Sequence, residues 1–276
     1  MKWIFNFVLI AFMFISPSPK SYSWNSLGHR LVGQIAYNHL TPRAKTIYKK
    51  YNQALNKVYR PQNMINAAAW LDSLRYRKDL WLQSKHYIDI PFSRDGTELI
   101  LPEDINAVSA IEDASHFLQK KYGNNFDKGF SLRILLHVVG DIHQPLHAAN
   151  QFSHNHPKGD QGGNLFPLGD NPVGDNLHSY WDRGGGLLIY NNKVKASELK
   201  RQADAIERKW PCDVQNMVVD PKAWALESHQ LALMKVYTIS PGQKPSTNYQ
   251  KNASNLTKKQ IALAGCRLAA LLNRLV

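Results

Sequence analysis

The densest chemistry in the sequence is the run His137-Val-Val-Gly-Asp141-Ile-His143-Gln-Pro145-Leu-His147. On a helix, residues four apart lie about 40° apart around the axis, so His137 and Asp141 project from one face and can grip one cation. His147 falls on the other side of His137, by roughly 80° if the helix stays regular past Pro145, which suits it to a second, neighbouring ion. The same spacing recurs in His178-Ser-Tyr-Trp-Asp182. A single His four residues from an Asp reads as a surface ion pair. Two such pairs, with a third His beside the first, bring metal ligation level with that reading. Further candidates stand upstream: Trp24 and His29, Asp72 in Ala67-Ala-Ala-Trp-Leu-Asp72-Ser-Leu-Arg75, and His86 in His86-Tyr87-Ile88-Asp89. Each of these alone reads equally as a packing residue, a cap or a structural histidine.

The elements that must carry these residues are mostly helical. Three-and-four spacing of apolar residues runs through Ala107, Ala110, Ile111, Ala114, Phe117 and Leu118, with Pro102-Glu103-Asp104 as the expected start. It runs again through Leu132, Leu135, Leu136 and Val139, through Trp224 to Val236, and through Ile261, Ala264, Leu268, Leu271 and Leu272. Alternation is nearly absent, and the best strand candidates are Lys85 to Ile90 and Leu187 to Tyr190. The expected fold is therefore all-α, one mostly helical domain with at most a small β-hairpin. The segment from Ala148 to Leu177 is rich in Gly, Asn, Asp, Pro and His, and long loops of this kind are usually functional or disordered. Its place between the two strongest motifs favours function.

Residues 1–23 read as a signal peptide: Lys2 precedes a largely apolar stretch from Trp3 to Ile15, too short to span a bilayer, and Ser21-Tyr22-Ser23 offers small residues for cleavage. The mature domain then covers 24–276, and loss of Lys2 and Lys20 lowers the formal charge from +13 to +11. So basic a chain attracts polyanions, either nucleic acid or an anionic membrane surface, although the charge alone reads equally as a solvated basic surface. The two cysteines, Cys212 and Cys266, are expected to form a disulfide in an exported protein. A metal must then be held by His and carboxylate, a donor set that suits zinc; magnesium would take oxygen ligands and several waters.

Taken together, these motifs resemble the zinc-dependent single-strand nuclease family of fungi, plants and bacteria, which shares its helical fold with bacterial zinc phospholipase C. The resemblance spans Trp24-Asn-Ser-Leu-Gly-His29, Ala69-Trp-Leu-Asp72, His86-Tyr-Ile-Asp89, Gly140-Asp141-Ile-His-Gln-Pro-Leu-His147, Gly162-Gly-Asn164 and Asn176-Leu-His178-Ser-Tyr-Trp-Asp182, in the family's order. It implies three Zn2+ ions. Asp72, His86, His137 and Asp141 would hold one, and His147, His178 and Asp182 a second. Trp24, through its α-amino nitrogen and carbonyl oxygen, would hold the third with His29 and Asp141, so that Asp141 bridges two ions.

The resemblance further implies hydrolysis of phosphodiester bonds in single-stranded DNA and RNA, leaving 5′-phosphates, with Asp72 and Asp141 in the catalytic centre and Arg75 stabilising the pentacoordinate phosphorus. It leaves open whether 3′-nucleotides are also dephosphorylated. Tyr87, Asp89, Gly163 and Asn164 map onto a nucleoside pocket in which stacking needs an unpaired base. The chain departs from the fungal pattern in extra residues before Gly162, including His154 and His156, in the loop that bears on substrate length and base preference. The expected protein is a monomer, secreted or periplasmic, with no stable membrane insertion after cleavage. The rival readings are a zinc phospholipase C, against which stand the Gly-Gly-Asn loop, Asp182 and the basic charge, and a zinc carrier, which has no evident need of Arg75, Tyr87 and Asp89.

Overall fold

A computed structural model describes residues 24–75, 80–189, 194–213 and 217–276. The expected leader 1–23, the side chain of Arg75 and the Tyr190 end of the second strand candidate lie outside the described residues. In chain order come α1 (Ser26–His39), α2 (Pro42–Leu55), α3 (Met64–Ala67), α4 (Trp70–Arg75), a 3-10 turn (Leu80–His86) and β1 (Pro91–Ser93). They are followed by α5 (Ala107–Gln119), α6 (Asn125–Asp141), a second 3-10 turn (Pro145–Ala148), β2 (Asn150–Phe152) and α7 (Leu177–Asp182). Helices α8 (Ala196–Lys209), α9 (Pro221–Leu231) and α10 (Thr247–Arg274) complete the chain, α9 running into a wide π turn over Ala232–Val236.

The helix starts follow local chemistry. Asn25 accepts from the N–H groups of Leu27 and Gly28 to begin α1, and Thr41 followed by Pro42 begins α2. Helix α5 starts at Asn106 rather than at Pro102-Glu103-Asp104. The Asn106 side chain accepts from Val108 and Ser109 while Ser109 Oγ accepts from the Asn106 N–H, a closed box that the acidic tripeptide does not make. The same device, Asn176 with Ser179, starts α7 and so aims His178 and Asp182.

Helix α6 departs from the amphipathic reading. From Leu135 to Asp141 every residue is buried, because α6 packs against α1, α2, α5 and α10 and has no solvent face there. It ends at Asp141, so His147 is reached by the 3-10 turn at Pro145 and not by a continued helix. The small sheet is present, but its strands run parallel, Pro91 opposite Asn150 through Ser93 opposite Phe152. A tight turn cannot join parallel strands, and here α5 and α6 form the crossover. Lys85 and His86 close a 3-10 turn, and Leu187 to Ile189 follow the glycine turn Gly184–Gly186 without forming a strand.

One large apolar cluster is built from α1, α2, α5, α6, α8 and α10, and a smaller one gathers Phe92, Leu146, Phe166, Val173, Trp181 and Tyr237. The chain crosses from the first to the second between Ile142 and Leu146, just before His147. Much of the 148–177 segment packs into the smaller cluster, and Tyr237 donates its hydroxyl proton to the buried Asp160 carboxyl at 2.8 Å. Cys212 and Cys266 form the expected disulfide, with Cα atoms 5.3 Å apart, tying the segment after α8 to α10. Closing a loop of this length contributes about 2–4 kcal/mol. Among the described residues no helix is long and apolar enough to cross a membrane.

Candidate metal centre

Asp141, wholly buried at the end of α6, turns its two carboxylate oxygens toward different histidines. Oδ2 lies 2.9 Å from His86 Nδ1 and 3.3 Å from His137 Nε2, whereas Oδ1 faces His29 Nε2 at 3.2 Å. The His137 ring is held from behind, its Nδ1 donating to the Ala68 carbonyl between α3 and α4 at 2.7 Å. A carbonyl can only accept, so His137 carries its proton on Nδ1 and points the Nε2 lone pair inward. That Nε2 is also 3.6 Å from Asp72 Oδ1. The His29 ring stacks on His137 with centroids 3.8 Å apart. Gly140 allows this approach, since a Cβ there would stand 2.9 Å from His29 Nδ1.

A second group lies beyond the 3-10 turn at Pro145. His178 Nε2 is 3.4 Å from Asp182 Oδ2, and His147 Nε2 is 3.9 Å from Asp182 Oδ1. Both rings are oriented as His137 is: His147 Nδ1 donates to the His86 carbonyl and His178 Nδ1 to the Gly162 carbonyl, each at 2.7 Å. Fixing one ring nitrogen to a carbonyl in this way presents the other as a metal ligand.

Burial pushes the His137 imidazole down to about 3, and the neutral ring is the form that can ligate. Burial by itself would raise the Asp141 carboxyl, but the neighbouring His137, His29 and His86 overcome it and hold Asp141 well below the usual carboxylate range. Among the described residues, the possible ligand atoms of this site form three groups, each within a 4.8 Å span: His29, Asp72 and His137; His86, His137 and Asp141; and His147, His178 and Asp182. Buried imidazoles and carboxylates converging without thiols fit zinc. A fourth cluster, His39, Glu207 and Cys212, has no thiolate to offer because Cys212 is in the disulfide. His143, the remaining His of the central motif, is structural: its Nδ1 donates to Val139 O and its Nε2 accepts from Arg267.

Residues 24–276 match the family described as S1/P1 Nuclease. The chain belongs to the S1/P1 nuclease family. Endonuclease 1 and Endonuclease 4 of Arabidopsis thaliana are 27% and 26% identical to it, each across 91% of this chain and across 87% and 89% of their own lengths. Nuclease S1 of Aspergillus oryzae is 25% identical over 92% of both chains. As an S1/P1 nuclease, the chain is a phosphodiester-hydrolysing enzyme.

The other expected site residues of this S1/P1 nuclease are distributed around the metal groups. Trp24 is buried, and the N–H of the next residue, Asn25, donates to Asp182 O at 3.3 Å. Arg75 ends α4, with its side chain outside the described residues. A cleft of about 740 Å3 is lined by Asp72, Asp182, Arg30, Arg60 and Arg183 among others. Tyr87 and Asp89 line a separate cleft of about 220 Å3 with Asn150, Ile100 and Leu101. Gly163 and Asn164 do not belong to that lining. Gly163 instead accepts from His178 N at 3.2 Å, and Asn164 Nδ2 donates to Gln161 O at 2.8 Å. Asp160 links the two halves, being hydrogen-bonded to the Gly163 N–H and close enough for its charge to act on Asp89. His154 is exposed and pairs with Asp95 at 2.7 Å.

Gln144 is a site residue that the sequence reading did not single out. Its Nε2 donates to Asp182 Oδ1 at 2.7 Å while its Oε1 accepts from Leu146 N, so one amide both caps the 3-10 turn and fixes a carboxylate of the second group. The available signal was an uncharged polar residue placed directly before Pro145 in a run whose other chemistry is all His and Asp.

Proposed function

We propose that this S1/P1 nuclease is an exported, zinc-dependent endonuclease that hydrolyses single-stranded DNA and RNA to 5′-phosphate products, with 3′-nucleotides a further substrate of the same site. The observation that carries the reading is the division of the Asp141 carboxylate between His29 on one oxygen and His86 with His137 on the other. That is the arrangement a bridging ligand requires. In this reading Asp72, His86, His137 and Asp141 hold one Zn2+, and His147, His178 and Asp182 a second. Trp24, His29 and Asp141 hold a third. When bound, such ions lower the pKa of water toward 7 and neutralise charge on the oxygens of an in-line displacement.

The chain's own residues do the rest. Asp141 keeps its charge in a buried setting, and the carbonyls of Ala68, His86 and Gly162 hold three imidazoles with the Nε2 atoms inward. Arg75, one turn after Asp72, holds the phosphoryl oxygens as charge builds. Tyr87 stacks on an unpaired base whose edge meets Asp89, and Gly163 and Asn164, outside that cleft's lining, act on it through Asp160, which the Gly163 N–H holds. Cleavage after Ser23 frees the Trp24 amine, and the disulfide suits a secreted or periplasmic monomer.

The test incubates zinc-loaded protein beginning at Trp24 with single-stranded DNA, RNA and phosphatidylcholine side by side. Cleavage of both nucleic acids and not the lipid is expected. Lipid hydrolysis alone would make the protein a phospholipase C, and turnover of none would leave a zinc carrier.

A further inference from the structure

The cleft that Asp72 and Asp182 line does not end at the metal groups. Pro61 and Gln62 belong both to its wall and to the wall of a second cleft, of about 550 Å3, lined by Lys45, Lys49, Tyr37, Asn52 and Asn56 among others. Among the described residues, Arg30, Arg60, Arg183, Lys45 and Lys49 supply five cations across the two linings, while the only carboxylates there are Asp72 and Asp182. Among the described residues no carboxylate pairs with any of the five. The fixed partners of Arg30 and Arg183 are instead the carbonyls of Val194 and Val173, which hold the side chains in place without neutralising them. Arg60 and Lys49 are exposed, and Lys45 lies 4.9 Å over the Tyr37 ring. Two clefts that meet at Pro61 and Gln62, with a one-sided charge, an aromatic ring and many amides, offer what binds a flexible phosphodiester chain, and sequence plays little part in such binding.

We propose that the two clefts form one track for the nucleotides flanking the scissile bond, with Arg60 and Arg183 holding phosphates near the metal groups and Lys45 and Lys49 holding phosphates farther along the strand. The inference rests on the proposed function and deepens it: the substrate class is a polynucleotide several residues long, bound by its backbone. A dinucleotide occupies only the metal end.

The experiment compares the zinc-loaded wild type with the double variant Lys45→Ala/Lys49→Ala on a dinucleotide and on a long single-stranded oligonucleotide over a range of salt. For the oligonucleotide, KM should rise about tenfold at low salt, and the slope of log KM against log salt should fall by about 0.7 for each lysine removed. Dinucleotide turnover should be unchanged, and Lys45→Arg/Lys49→Arg should restore the oligonucleotide KM. Equal losses on both substrates, or none on the long one, overturn the track. Anisotropy of a cleavage-resistant phosphorothioate oligonucleotide separates the two levels of the argument. If the wild type binds it, loses affinity in the double variant, yet cleaves no nucleic acid, the proposed function falls and the track stands.

Discussion

The carbonyl oxygen of His86 accepts the Nδ1 proton of His147 at 2.7 Å, and the Ile88 N–H donates back to the His147 carbonyl at the same distance. A residue of one ligand group thus orients a residue of the other through its backbone, leaving its own ring free for Asp141. His86→Ala keeps that carbonyl. It should lose metal from its own group while retaining the ion of His147, His178 and Asp182. His147→Ala should empty only the latter, and Asp141→Asn should lose two ions. Metal analysis of the purified variants decides this, and loss of a single ion in Asp141→Asn would rule out bridging.

Gly162 sits at φ +63° with its would-be Cβ only 2.6 Å from Leu146 O, and its carbonyl orients His178. Gly162→Ala should therefore both destabilise the fold, by about 1–3 kcal/mol, and displace the ion held by His178. Gly242, at φ +75° with nothing within 4 Å of its would-be Cβ, is the control. Gly242→Ala should lower the melting temperature without changing metal content, and equal metal loss in both variants would count against the carbonyl's role.

Burial pushes the Asp89 carboxyl up to about 7, helped by the charges of Asp160 and Glu103. The folded protein then binds more protons than the unfolded chain between roughly pH 4 and 7, so this group's contribution to stability falls as pH rises through that window. The same titration changes recognition: the neutral carboxyl can donate, whereas the ionised one only accepts. The ratio of KM for guanine-containing to thymine-containing dinucleotides should fall as pH rises through about 7, because guanine offers the carboxylate two adjacent donors, N1–H and the 2-amino group, where thymine offers the single N3–H. Asp89→Asn should flatten that ratio, and an unaltered profile in the variant would remove Asp89 from base recognition.

Trp24 is packed so closely on α1 that a Cβ on Gly28 would stand 2.8 Å from its own Cβ, and the Asn25 N–H bonds to the Asp182 carbonyl. The proposed ligand there is the α-amine, whose pKa near 8 leaves it easily deprotonated beside a divalent ion. A single residue added before Trp24 converts that amine to an amide. Protein starting one residue early should lose one zinc and most nuclease activity with its circular dichroism unchanged. Three zincs and native turnover in the extended form, with both termini confirmed by mass spectrometry, would exclude the amine as a ligand.

Much of the site was legible because its chemistry is local. His137 with Asp141, and His178 with Asp182, share a helix face by spacing alone, and the structure finds each pair at 3.3 and 3.4 Å. The helical character, the α5, α6 and α10 segments and the cysteine pairing likewise follow from periodicity and from there being only two thiols. Other features depend on contacts between distant segments, which no spacing rule encodes. His29 and His86 meet at Asp141 only because α1 packs on α6 across Gly140 and the 3-10 turn closes from another direction. The parallel pairing of β1 with β2 follows from the helices that separate them, and the all-round burial of α6 from the helices packed around it. The rings of His137, His147 and His178 are each aimed by a main-chain carbonyl, from Ala68, His86 and Gly162. Every residue carries a carbonyl, so residue type cannot reveal which one a histidine will reach; only the packing of the folded chain brings that oxygen to the ring.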